Sequence, residues 1–330
     1  MKKRSSFLVI LALFILFGVS ARAEQTPEEI FKAVVKVRAI VPKDARSASS
    51  LGTEREGHGV VIDSKGHILT IGYLINEAET IDVFGPEDKP VKATFVGYDY
   101  ATGFGLLKTD PPLAVEPVKL GESSKLNAGD PALVAGHGGA DSVQGVGVIS
   151  RKEFAGYWEY LLDDAIFTTP AYAKFGGAAL IGRDGRLLGI GSLFTQIVVP
   201  AFGSIPCNVF VPIDLLPPIL DDLIATGRSR KPSRPWLGIN SEEARGRIFI
   251  TRVTSDGPAE KAGLQPDDLV LAVNGKEVNG LADFYRRIWG MGNAGVDIPL
   301  TILRGTRVRD ITVRSADRHQ FLTIRSKKVL

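Results

Sequence analysis

The stretch AYAKFGGAALIGRDGRLLGIGSL (171–193) carries paired glycines, Gly176 and Gly177. Small apolar residues, a turn at Asp184-Gly185 and an apolar strand ending Gly189-Ile190-Gly191 follow. Glycines in this pattern allow a tight turn, or let a ligand come close to backbone N–H groups. A serine just before the pair would make the loop a nucleophile, and none stands there. Four histidines, His58, His67, His137 and His319, lack metal-ligand spacing and read as ordinary exposed or partly buried side chains, with a metal site as the alternative. A hydrolytic site using Lys174 as base for Ser192 or Ser204 would need a separate coincidence. Cys207 is the only cysteine, so no internal disulfide can form, and it reads most simply as a small buried residue. An intermolecular bridge is the alternative. Nothing in the pattern asks for a cofactor.

Elements are needed to position such loops, and 330 residues at 44% hydrophobic and 23% charged suffice for two cored domains. Lys2, Lys3 and Arg4, an apolar run over 7–19 and Ala21-Arg22-Ala23 form the pattern of a secretory signal peptide cut before Glu24. The run is short of the roughly 20 apolar residues of a membrane helix, so an uncleaved anchor is the lesser alternative. The chain is thus expected to be exported, periplasmic or secreted, with no span in its mature part. The formal charge of +3 comes from the leader. Without Lys2, Lys3, Arg4 and Arg22, 36 basic residues face 37 acidic ones, and a nucleic-acid partner loses its support. The basic clusters at 228–234 and Lys327-Lys328 read as linker and tail.

From about residue 29 to 212, short apolar runs are broken every ten or so residues by turn signals, which predicts an all-β sandwich or barrel. Asp63-Ser64-Lys65-Gly66 and Arg183-Asp184-Gly185 read as hairpin turns. Leu216, Ile219, Leu220, Leu223 and Ile224 then recur at helical spacing, and Gly227 stops the helix. RSRKPSRP reads as an exposed linker, and a second unit of strands follows with short helices around 259–262 and 281–289.

In that second unit, GPAEKAGLQPDDLVLAVNGKEV (257–278) and WLGI (236–239) resemble a PDZ domain, the latter its carboxylate-binding loop; Asp267 departs from the usual glycine. A PDZ unit behind a β-rich unit in an exported chain resembles the HtrA/DegP family, over nearly the whole mature length. GHGVVIDSKGHILT (57–70), GYDYATGFGLLK (97–108), LGESSKLNAGDPALVAGH (120–137) and VFVPIDLLPPILDDL (209–223) each resemble a family segment. The resemblance implies a mainly β chain, a chymotrypsin-like double β-barrel followed by a C-terminal PDZ domain that is β-sandwich-like with two short helices. The expected divisions are a signal peptide at 1–23, the barrels at 24–225, a linker at 226–235, the PDZ domain at 236–316 and a tail at 317–330.

The departures bear on activity. Where the family has its catalytic histidine, aspartate and serine, this sequence has Tyr73, Gly103 and Gly176. Acyl transfer needs a nucleophile, a base in hydrogen-bond reach and a group orienting that base. Glycine has no side chain to attack with, and an ordinary tyrosine, with a pKa of about 10, is a poor base at neutral pH. Lys174 replaces a glycine of the oxyanion hole. No catalytic residue is therefore expected. The expected function is binding of protein C-termini or unfolded segments, with Leu237, Gly238 and Ile239 as carboxylate donors. Phe284 and Ile288 are either the groove wall or plain core. A divergent serine endopeptidase and a regulatory subunit of an active relative are the alternatives. The segment TPEEIFKAVVKV (26–37) is a candidate trimer contact, as the resemblance implies; Ile30 and Phe31 serve equally as barrel caps.

Overall fold

Asp63 makes the first hairpin: its carboxylate accepts from the N–H groups of Lys65 (2.9 Å) and His67 (3.1 Å) and pairs with the His67 ring at 2.6 Å. This Asx-type turn joins the second and third of eighteen strands in the computed structural model, which describes residues 25–199 and 203–321. The expected signal peptide and Lys327-Lys328 lie outside the described residues. Strands β1 (Val34–Ile40), β2 (Glu54–Val61), β3 (His67–Ile71), β4 (Thr80–Phe84), β5 (Pro90–Tyr98) and β6 (Phe104–Thr109) close a barrel in the order β1-β2-β3-β6-β5-β4. Strands β7 (Pro131–Ala135), β8 (Val143–Gly156), β9 (Tyr160–Thr169), β10 (Ala179–Ile181), β11 (Leu187–Val199) and β12 (Gly203–Pro212) close a second, in the order β10-β11-β12-β9-β8-β7.

One apolar cluster runs from Val35, Leu69 and Phe104 in the first barrel to Phe167, Ile190 and Val209 in the second, which holds a further cluster around Val134, Ile166, Leu180 and Phe210. Cys207 is buried within the shared cluster as a free thiol. The helix Pro217–Thr226 carries its apolar face onto β5; the Tyr98 N–H donates to the Gly227 carbonyl at its end (3.0 Å). The helix Pro27–Lys32 is fixed by a capping box, Thr26 with Glu29, and buries Ile30.

Strands β13 (Ile239–Ala244), β14 (Arg247–Val253), β15 (Leu269–Val273), β16 (Lys276–Glu277), β17 (Asp297–Arg304) and β18 (Arg307–Arg314) form the last sheet, with β13 at its edge. Helices Pro258–Lys261 and Leu281–Trp289 cover it, where the sequence placed them. Asp267 has φ +70, so this turn does use the left-handed conformation that glycine usually supplies. The residues expected as a tail begin with the helix Arg318–Phe321, which packs: Phe321 lies 4.6 Å from the Trp236 ring, and the His319 ring meets the Tyr98 carbonyl at 3.2 Å. Among the described residues no helix is long and apolar enough to cross a membrane.

Candidate functional site

The fold brings Tyr73, Gly103 and Gly176 together between the barrels. β3 runs into a single helical turn, Gly72–Leu74, which presents Tyr73. The Gly72 N–H donates to the Gly103 carbonyl (2.8 Å), which sets the start of β6 beside Tyr73. A Cβ built on Gly176 would lie 2.9 Å from the Tyr73 hydroxyl, so the tyrosine stands where a serine side chain would begin. That hydroxyl donates to the Ser192 carbonyl (2.9 Å), and burial, with Tyr98 nearby, pushes its pKa above the ordinary value. Both effects oppose use as a base. Gly103 has φ +85, and the Tyr160 hydroxyl, donating to the Thr102 carbonyl at 2.6 Å, would lie 3.2 Å from any Cβ there.

The loop behind Gly176 is held by backbone crowding. A Cβ on Gly177 would sit 1.9 Å from the His58 carbonyl oxygen, and one on Gly191 2.0 Å from that of Phe175. The two strands then exchange bonds, Gly177 N–H to Gly191 O and Gly191 N–H to Ala178 O, both at 2.8 Å. Lys174 is not among the residues with positive φ, so the backbone at the oxyanion position lacks a glycine-like conformation.

A cleft of about 440 Å³ opens over this loop, lined by His58, His137, Lys174 and Tyr73 among others; neither Ser192 nor Ser204 lines it. Ser192 is buried, and the Ser204 hydroxyl donates to Gln196 on the surface (2.8 Å), so the structure brings neither to Lys174 as a nucleophile. Where exposed or partly buried histidines were expected, His58 and His67 are buried more fully than that. The His58 Nδ1 accepts from the His137 N–H (3.0 Å). Burial, reinforced by His137 and Lys174, pushes the His58 pKa down to about 4. Among the described residues no group of three or more His, Cys, Asp or Glu is placed to hold a metal ion.

The second site is the loop before β13. The N–H groups of Leu237, Gly238 and Ile239 converge on one carboxylate at 2.8, 2.8 and 3.0 Å. That carboxylate belongs to Glu159, in the turn between β8 and β9 of the second barrel. Burial pushes the Glu159 pKa up, against the hold of the three N–H groups and Arg318. Phe284 and Ile288 are fully buried in the domain core with Tyr285. Leu161 of β9 packs into the same cluster. Leu237, Gly238 and Ile239, expected to receive a peptide carboxylate, here donate to Glu159, a partner that was not expected. Its one local signal was a lone acid among the aromatic residues of GYWEY (156–160).

Two closed antiparallel barrels with a glycine-rich loop between them, followed by a small sheet with a carboxylate-binding loop, define a trypsin-like barrel pair joined to a PDZ domain. Residues 57–190 match the trypsin-like peptidase domain family and residues 235–314 the PDZ domain family. The chain belongs to the HtrA family. It is 27% identical over 311 residues to a probable periplasmic serine protease do/HhoA-like of Haemophilus influenzae, covering 88% of this chain and 64% of that one. With the periplasmic pH-dependent serine endoprotease DegQ of Escherichia coli it shares 26% over 310 residues, covering 89% and 67%. Among solved structures, the serine endoprotease from Yersinia pestis superposes with a TM-score of 0.51 at 23% identity, covering 89% of this chain and 99% of that one. The chain spans less than two thirds of the length of the first of these curated relatives, and 56–58% of several others. Like those named periplasmic, it is an exported, periplasmic protein.

Proposed function

We propose that this chain is an HtrA-family pseudoprotease, proteolytically inactive, which binds protein C-termini or unfolded segments through its PDZ domain as an adaptor, chaperone-like or regulatory protein. The observation that carries the proposal is Gly176. The position that should hold the nucleophile has no side chain, and it faces a tyrosine hydroxyl already donating to a carbonyl. Without nucleophile, base or base-orienting carboxylate, nothing remains to form an acyl-enzyme.

The binding half is supported by Leu237, Gly238 and Ile239, whose donors already have the geometry a carboxylate needs. A peptide C-terminus would place its carboxylate there and add a strand beside the edge strand β13. Charge-assisted bonds of roughly 1.5–3 kcal/mol each, with one buried apolar end residue, give an affinity of about micromolar or weaker. Calorimetry with a peptide ending in leucine should show binding of the free acid and none of its C-terminal amide. Equal binding of the two would contradict carboxylate reading. The names of the relatives favour a second reading, a divergent serine endopeptidase of envelope protein quality control. Assembly as a homotrimer, or as a regulatory partner of an active family member, belongs with the proposal.

A further inference from the structure

The β8–β9 hairpin turns through three residues, Tyr157-Trp158-Glu159, between the paired Gly156 and Tyr160. Glu159 has φ +57, the left-handed position that such loops usually give to glycine. A long acidic side chain there gains nothing from the turn itself. Its carboxylate instead reaches the three N–H groups of the PDZ loop, some eighty residues further along the chain, with the Arg318 charge acting on it as well.

The rest of the hairpin engages the same domain. The Ser241 N–H of β13 donates to the Tyr157 carbonyl (2.7 Å). The Tyr285 hydroxyl donates to the Gly156 carbonyl (2.9 Å) and accepts from the Glu159 N–H (3.2 Å). Leu161 lies in the apolar cluster with Leu237, Phe284 and Ile288. One carboxylate in the loop, a hydrogen bond to the edge strand and an apolar side chain in the core are what a polypeptide C-terminus would offer.

We propose that the β8–β9 hairpin is a built-in ligand of the PDZ domain, with Glu159 in place of a terminal carboxylate, so that a polypeptide with a free α-carboxylate binds by displacing it. The inference rests on the carboxylate-reading role proposed above. Closed molecules do not bind, so the apparent affinity is the intrinsic one scaled by the open fraction.

The test uses the full mature chain as wild type, Glu159→Gln and Glu159→Gly. The first variant keeps the side-chain volume. The second removes the carboxylate while supplying the residue that φ +57 favours, so the turn is preserved. The probe is a fluorescent decapeptide ending in leucine, as free acid and as amide, followed by anisotropy, with amide hydrogen exchange at residues 237–239 alongside. Both variants should bind the free acid about tenfold or more tightly than wild type, ignore the amide, and exchange faster at the loop. Equal free-acid affinity for wild type and both variants would overturn the built-in ligand and leave carboxylate reading standing. Free acid and amide bound alike by all three proteins would overturn carboxylate reading, and the inference with it.

Discussion

At the scale of single residues, the proposed loss of the triad is a matter of space as well as chemistry. Gly103→Asp must place a side chain at φ +85 against the Tyr160 hydroxyl, and the backbone at Lys174 lacks the glycine-like conformation an oxyanion donor would need. The triple variant Tyr73→His, Gly103→Asp, Gly176→Ser should therefore fold yet regain little casein hydrolysis, because misplacement by about 1 Å costs on the order of 10²-fold. Near-wild-type activity of an active HtrA protease in that variant would show that the oxyanion hole survived Lys174. His58 makes a second prediction. Its folded pKa of about 4 lies below the ordinary 6.5, so the unfolded chain takes up the proton first. Stability from this group is complete above about pH 6.5 and is lost as the pH falls toward 4, by roughly 3 kcal/mol. Urea denaturation at pH 7 and pH 4.5 should show a smaller loss for His58→Gln than for wild type; parallel losses would contradict the buried neutral ring.

At the scale of elements, the glycine loop persists because two backbones touch. Gly191→Ala would put its methyl against the Phe175 carbonyl and should cost at least ~2 kcal/mol in denaturant unfolding. Gly145→Ala, in open space on β8, should change stability by less than about 1 kcal/mol. Comparable losses at both would mean that the close approach is relaxed in solution. Hairpins, helix stop and domain order were legible in the sequence because each is written locally: Asp63 makes its own turn, and Leu216 to Ile224 carry their own periodicity. The expectation of a substituted triad at Tyr73, Gly103 and Gly176 rests on position within local motifs in the same way. Glu159 was not, since its meaning lies in N–H groups far along the chain. The burial of His58 and the packing of Phe321 on Trp236 were hidden likewise, each depending on a partner from another element.

At the scale of the whole molecule, the barrels and the PDZ domain meet through the β8–β9 hairpin and the Arg318–Phe321 helix. On the proposed reading, in which the loop at Gly176 carries no nucleophile, this connection would govern peptide binding alone. The most direct measurement is hydrolysis of unfolded casein by the purified mature chain, with labelling by a serine-reactive phosphonate in the same sample. Losing one triad member costs on the order of 10⁴-fold or more, and on the proposed reading Tyr73, Gly103 and Gly176 replace all three, so neither turnover nor label should exceed background. Turnover that survives repurification and is abolished by one point substitution in this chain would contradict the account.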